Sequence, residues 1–275
     1  MKTQYFKILF LIISSCSNLK YLTPFEGYAN KPKEVELQYY RVSTVDSIKT
    51  IRASSKSISY YDRKGRLLKT TSFKADGPST RYSLFTYDKF GNLTEVASFN
   101  NTNKKSYQLN YYYNKQGQII KKENTRENSK MVTNTVYDRK KRMSKSIMVK
   151  NDSIFFDNNM FKYNKDWQEI ELTSYLESGE QKSRIEFFYD KKKNQILTKW
   201  YRSDNSLKNF YETTFNDKGD KIAVKRYNFL DGKTKLISHN QTDFIYDKYG
   251  NCIEKRYFEN GVLKMILKYK FRYKK

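Results

Sequence analysis

Beyond about residue 34 the chain alternates apolar and polar positions in short runs, as in Phe85-Thr86-Tyr87, Phe161-Lys162-Tyr163 and Phe244-Ile245-Tyr246. Alternation with period two predicts strands with one aromatic face. The strand ends recur. An aromatic followed by Asp or Asn stands at Tyr61-Asp62, Tyr87-Asp88, Tyr113-Asn114, Tyr137-Asp138, Tyr163-Asn164, Tyr189-Asp190, Phe215-Asn216 and Tyr246-Asp247. The intervals between these anchors are 26, 26, 24, 26, 26, 26 and 31 residues. Phe99-Asn100, Phe156-Asp157 and Tyr227-Asn228 fall outside the series, so the spacing carries the signal rather than the dipeptide.

Four residues after an anchor stand Gly65, Gly91, Gly117, Gly219 and Gly250. Asp or Asn opens a turn by accepting backbone N–H groups, and Gly supplies the left-handed residue that closes it. Lys141, Trp167 and Lys193 occupy the glycine position in the other three full repeats, which predicts altered turns there, since a left-handed non-glycine residue costs about 1–2 kcal/mol. Leu68, Ile120, Ile170, Ile196, Ile222 and Ile253, seven residues past their anchors, mark a returning strand. Twelve residues past stand Phe73, Phe99, Tyr175, Tyr201, Tyr227 and Phe258, on the opposite face from position seven unless a bulge intervenes. Asp76-Gly77, Ser178-Gly179, Asp231-Gly232 and Asn260-Gly261 signal a second turn.

Eight repeats of about 26 residues, each two strands and two turns, predict roughly sixteen strands in an all-β antiparallel meander. Open sheets of more than about ten strands curl or split, so a long twisted or spiralling sheet is expected. A closed transmembrane barrel is the rival geometry. Lys and Glu on both faces of the returning strands speak against it, because a lipid-facing row excludes them.

The first residues read as an address. Lys2 and Lys7 precede the apolar run Ile8 to Ile13, and Ile13-Ser14-Ser15-Cys16 resembles a bacterial lipobox, with Cys16 the acylated residue. The expected organisation is a signal peptide over 1–15, the lipidated Cys16 and a tether over 16–34, and a repeat domain over 35–275. No Asp follows Cys16, which by resemblance to known lipoprotein sorting patterns favours the periplasmic face of an outer membrane.

Composition adds a field rather than a chemistry. Net charge is +25, or +23 once Lys2 and Lys7 are removed, and 25 residues are Tyr. Such charge suits polyanions, while Lys, Asn, Ile and Tyr enrichment also follows from an AT-rich genome.

The runs Tyr87 to Asn92 and Tyr246 to Asn251, Tyr-Asp-x-x-Gly-Asn, resemble the YD repeat of the RHS-repeat family over residues 59–273. The resemblance implies a spiralling β-sheet shell and a bias toward extracytoplasmic binding. The repeat is longer than the family's usual one, eight are too few for a cocoon, and no Asp-Pro core motif occurs, so toxin encapsulation is not carried over.

A single histidine, His239, leaves no His-based triad or His-rich metal site. It falls in the one swollen interval and is expected in a loop. Cys252 is expected to be a small buried hydrophobe. Periodic acids such as Asp62 and Asp88 are better turn formers than a glycosidase pair. The reading is therefore a non-enzymatic envelope lipoprotein without catalytic, cofactor or metal residues. Its partners would be the membrane through its lipid and a glycan, other polyanion or protein; nucleic acid is disfavoured by the address. A carboxylate enzyme or a purely structural component are the alternatives.

Overall fold

The computed structural model describes residues 28–45, 48–151 and 153–273, and every regular element among them is a strand. The first six are β1 (Glu34–Val45), β2 (Ile48–Tyr61), β3 (Leu67–Lys74), β4 (Ser79–Tyr87), β5 (Leu93–Asn100) and β6 (Lys105–Tyr113). β7 (Ile119–Arg126), β8 (Ser129–Asp138), β9 (Met143–Lys150), β10 (Ser153–Tyr163), β11 (Glu169–Tyr175) and β12 (Gln181–Tyr189) follow. The last are β13 (Gln195–Tyr201), β14 (Leu207–Phe215), β15 (Lys221–Leu230), β16 (Lys233–Tyr246), β17 (Cys252–Glu259) and β18 (Val262–Arg272).

Each strand pairs antiparallel with its sequence neighbours, and the two ends of the chain meet. Glu34 of β1 lies opposite Tyr60 of β2 on one side and Arg272 of β18 on the other. The result is a closed 18-stranded barrel, which corrects the expected open or spiralling sheet. The residues before Tyr61, left out of the repeat count, supply β1 and the first part of β2, and so the closing pair. An open meander exposes two edge rows of N–H and C=O groups; closure removes both.

Bulges recur at fixed places. Tyr60 lies opposite Lys69 while Tyr61 lies opposite Leu67, so Leu68 is the extra residue. Thr94, Ile120, Ile170, Ile196, Ile222 and Ile253 are skipped in the same way. The position-seven residue is therefore the bulge itself. It switches the side-chain parity, so that position seven and position twelve share one face. A second set, at Thr80, Ser106, Lys182, Lys208, Ile237 and Lys264, lies near the other end of the barrel. Bulges add bend and twist to each strand, which a closing sheet requires.

Register carried through the bulges separates two faces. The anchor tyrosines share one face with Phe85, Tyr111 and Phe244 and with Leu67, Val96 and Lys122. This face is the concave one. Lys122 on β7 feels the charge of Glu169 on β11, and Tyr257 on β17 that of Tyr39 on β1, although neither pair of strands is adjacent. Non-neighbouring strands meet only across the interior. A buried cluster of Val35, Tyr61 and Leu67, flanked by Tyr28, Phe85, Tyr269 and Phe271, anchors one sector. Elsewhere Ser83, Tyr111 and Leu172 remain only half-buried, as expected of a barrel too wide for side chains to fill.

The ladder between β3 and β4 stops at Lys69 and Leu84, and beyond it the strands part. There the Tyr87 hydroxyl donates to the Leu67 carbonyl at 2.8 Å. Tyr113 donates to Leu93 at 2.7 Å, Tyr137 to Ile119 at 3.1 Å and Tyr189 to Glu169 at 2.7 Å. Each anchor thus satisfies a carbonyl that the parted strands leave open. Substituting Tyr113→Phe is expected to cost about 1–3 kcal/mol by leaving the Leu93 carbonyl without that donor. The urea midpoint should fall at constant slope; an unchanged midpoint would show that the hydroxyl is dispensable.

Candidate binding interior and turn rim

The anchor turns form one rim of the barrel, and a reciprocal clamp holds six of the eight. Asp62 Oδ1 accepts the amides of Lys64 and Arg66, both at 2.8 Å, while Oδ2 accepts Arg66 Nε at 2.6 Å. Asp88 holds Phe90 and Asn92 in the same way, with Asn92 Nδ2 donating to Asp88 Oδ2 at 2.6 Å. Where the anchor acid becomes Asn, the partner becomes an acceptor: Asn114 Nδ2 donates to Gln118 Oε1 at 2.9 Å, and Asn164 Nδ2 to Gln168 Oε1 at 3.0 Å. Asp190 pairs with Asn194, and Asp247 with Asn251, as the acid form does. Asn216 instead donates to the Tyr246 hydroxyl, which itself donates to Asp220. Burial pushes the Asp88 carboxyl up, but the Asn92 side chain and the turn amides outweigh it and hold it below the usual range.

Sequence reading singled out the anchors and quoted Asn92 and Asn251 within the Tyr-Asp-x-x-Gly-Asn runs, but missed the role of the residue five positions on. Asn92, Gln118, Gln168 and Asn251 are among the most buried polar residues described. The legible signal was a polar residue before each returning strand, matched in donor or acceptor character to its anchor. Gln168 Nε2 reaches the carbonyl of Lys193 in the next turn at 3.3 Å. Gln118 is 2% exposed and its Nε2 has no such carbonyl, because the turn that follows it in chain order, 139–142, is the irregular one.

The three turns without glycine divide. At Trp167 (φ 61°) and Lys193 (φ 68°) the turn is unaltered: Trp167 N–H donates to Asn164 O, and Lys193 N–H to Asp190 O. The expectation of altered turns fails there because the clamp is strong enough to hold a left-handed side chain. It holds only at 139–142, where Arg142 rather than Lys141 is left-handed (φ 50°). Gly65, Gly91, Gly117, Gly219 and Gly250 all take positive φ. Asn100, outside the anchor series, caps a turn at the opposite rim through Thr102 and Lys104.

Charge is sorted between the faces. The convex wall carries ion pairs: Lys121 with Glu123 at 2.8 Å, Lys162 with Glu171 at 2.7 Å, Arg256 with Glu254 at 2.6 Å, and Arg184 with Glu186. A lipid-facing wall does not carry such a belt, since each Lys or Arg at a bilayer midplane costs roughly 2–4 kcal/mol. The concave face has cations without that balance. Arg81, Lys122, Arg126, Arg226, Lys235 and Lys255 point inward by register, whereas on the described strands the inward acids are Glu169 and Glu259, at opposite ends of the barrel, with Asp220 held by Tyr246 in an anchor turn. Lysines thus occupy both faces, and it is the acids that are segregated. Arg126 lies 5.6 Å from the Tyr107 ring, Arg226 lies 5.6 Å from Tyr211, and Lys255 sits between Phe244 (5.5 Å) and Tyr269 (5.3 Å). Burial lowers the Lys122 ammonium and raises the Glu169 carboxyl, each partly offset by the other's charge.

His239 lies on β16, not in a loop: the swollen interval lengthens β15 and β16, and the His239 amide donates to Asn260 Oδ1 at 2.8 Å. Cys252 opens β17 half-buried, its thiol pushed up by burial. No group of metal-ligating side chains occurs among the described residues. Cys16 and the whole address segment lie outside the described residues.

No family model and no curated protein matches the chain. Among solved structures it is similar to a porin-like protein from Bacteroides uniformis, at 10% identity and TM-score 0.47 over 89% of this chain and 98% of the other. A porin-like protein from Bacteroides vulgatus aligns at 8% identity and TM-score 0.39, over 88% and 98%. A β-barrel-like protein of unknown function from Brucella abortus aligns at 8% identity and TM-score 0.20, over 89% and 98%. These likenesses are too distant to bear on function. With no matching family model and a sheet that closes on itself, the resemblance to the YD repeat of the RHS-repeat family is corrected: a short turn motif mimicked it.

Two outcomes follow from the turns and the interior. Lys193→Gly should stabilise the fold by about 1 kcal/mol through relieved backbone strain. Trp167→Gly should not, because it also removes the ring packed 5.6 Å from Tyr163. Thermal melts decide, and a lower melting point for Lys193→Gly would refute the strain. Burial pushes the hydroxyls of Tyr111, Tyr137 and Tyr257 up to about 12. Folding favours their protonated forms, so the stability they contribute is intact below about pH 10 and drains as pH rises toward 12. Tyrosinate absorbance should show a block that ionises only as circular dichroism is lost; full ionisation with the fold intact would contradict it.

Proposed function

We propose that this protein is a non-enzymatic binding protein of the bacterial cell envelope that holds an acidic glycan against its concave face. The segregation of acids carries the reading. Convex carboxylates pair with part of the convex cations, Lys121 and Lys162 among them, while the inward cations outnumber the inward acids and keep an excess positive field beside aromatic rings. Sugar rings stack on Tyr and Phe faces, and carboxylate or sulfate groups pair with Arg and Lys. Low-dielectric walls of one charge sign focus that field on an entering ligand.

The envelope address rests on the order of charged, apolar and small residues ending at Cys16. The belt of convex ion pairs fits a barrel standing in water and held to the membrane by a tether.

Calorimetric titration of the full-length protein with an acidic polysaccharide such as polygalacturonate tests the reading. Arg126→Ala/Arg226→Ala/Lys255→Ala should weaken binding at least roughly tenfold, while Lys130→Ala/Lys145→Ala/Lys270→Ala, on the convex wall, should leave it unchanged. Equal losses in both variants, or equal binding of neutral dextran, would refute it.

A further inference from the structure

The two rims of the barrel differ in charge. The eight anchor turns, residues 62–66, 88–92, 114–118, 139–142, 164–168, 190–194, 216–220 and 247–251, hold fifteen Lys or Arg against seven Asp or Glu. The fully described turns at the other rim, 75–78, 101–104, 127–128, 176–180, 202–206, 231–232 and 260–261, hold two against six. At the anchor rim, moreover, four of the seven acids are engaged inward. Asp62, Asp88, Asp190 and Asp247 spend their oxygens on their own turns, whereas Arg63, Lys115, Lys140 and Lys191 stand exposed at the tips.

Large aromatic side chains stand among these cations. Phe90 is 67% and Tyr249 is 51% exposed, with Lys89 and Lys248 over their rings at 5.0 Å. The chain also enters the barrel at this rim. Tyr28 packs edge-on against Tyr61 and Phe271, and the Ala29 amide donates to Asn251 Oδ1 at 2.6 Å. Tyr28, the first described residue, therefore lies at the basic end.

We propose that the anchor-turn rim is a docking face for an anionic membrane surface. Basic residues gain from the negative potential of lipid headgroups within about a Debye length. Exposed Phe and Tyr insert at the level where an amphipathic ring is most stable. The acidic far rim is repelled by the same surface, so the barrel stands on end with its far mouth directed away from the bilayer. The wall between the rims, with its ion-pair belt, stays in water. This docking is independent of the concave glycan site.

Sedimentation of the full-length protein with vesicles tests it. Vesicles of phosphatidylcholine mixed with phosphatidylglycerol should bind roughly tenfold or more tightly than phosphatidylcholine alone at about 0.1 M salt, and the difference should vanish near 1 M. The segment around Ile8 to Ile13, with Lys2 and Lys7, is present in every variant, so differences between variants do not come from it. Arg63→Glu/Lys115→Glu/Lys140→Glu/Lys191→Glu should abolish the preference. Lys130→Glu/Lys145→Glu/Lys225→Glu/Lys270→Glu, on the wall, should keep it, as should Arg126→Ala/Arg226→Ala/Lys255→Ala. Equal partition onto both vesicle types, or equal loss in the wall variant, overturns the proposal. So does a rim that binds soluble polyphosphate without preferring anionic vesicles.

Discussion

Every strand carries a row of backbone donors and acceptors on each side, and in an 18-stranded meander those rows find partners everywhere only if the first strand meets the last. The pairing of β1 with both β2 and β18 meets that constraint, and much of the remaining architecture serves it. Bulges bend the sheet so that it can close. Bending parts the strands at the anchor rim and opens carbonyls such as those of Leu67 and Leu93. The hydroxyls of Tyr87 and Tyr113 then fill them. An apolar anchor of the same size, Phe in place of Tyr, leaves such a carbonyl open, which explains why Tyr dominates the series.

The clamps follow from the same demand at smaller scale. A tight turn leaves amides facing inward, and Asp or Asn collects them while the residue five positions after the anchor secures the carboxylate or amide in return. Because the side chains are satisfied inside the turn, the turn tips are free to vary, and they have become basic at one rim. The result is a barrel polarised along its axis and sorted across its wall. The wall faces water with acids among its cations, the interior holds unbalanced cations beside tyrosine, and the anchor rim presents Lys and Arg among exposed rings.

Local features were the legible ones. Tyr111-Tyr112-Tyr113 reads as a strand because side chains alternate with period two, and Asn260-Gly261 reads as a two-residue hairpin loop because both residues accept positive φ, here 48° and 79°. The anchor turns were legible as far as Asp and Gly. The burial and the clamping role of their partners, Asn92 and Gln118 among them, were not, since a polar residue at a strand start ordinarily reads as solvated. Trp167 and Lys193 misled for a related reason: propensity disfavours them, and the clamp overrides propensity.

What the sequence by itself determined is therefore what neighbouring residues decide among themselves: antiparallel strands, the places where they turn, and an overall positive charge. Closure was decided by tertiary structure, because Glu34 meets Arg272 across nearly the whole chain and nothing in either segment names the other. So was the face on which Phe73 or Tyr175 lies, since a single extra residue in the register reverses it. The separation of acids from inward cations came from both: the residues are written in order, but only the bulges and the closed ring assign them an inside and an outside.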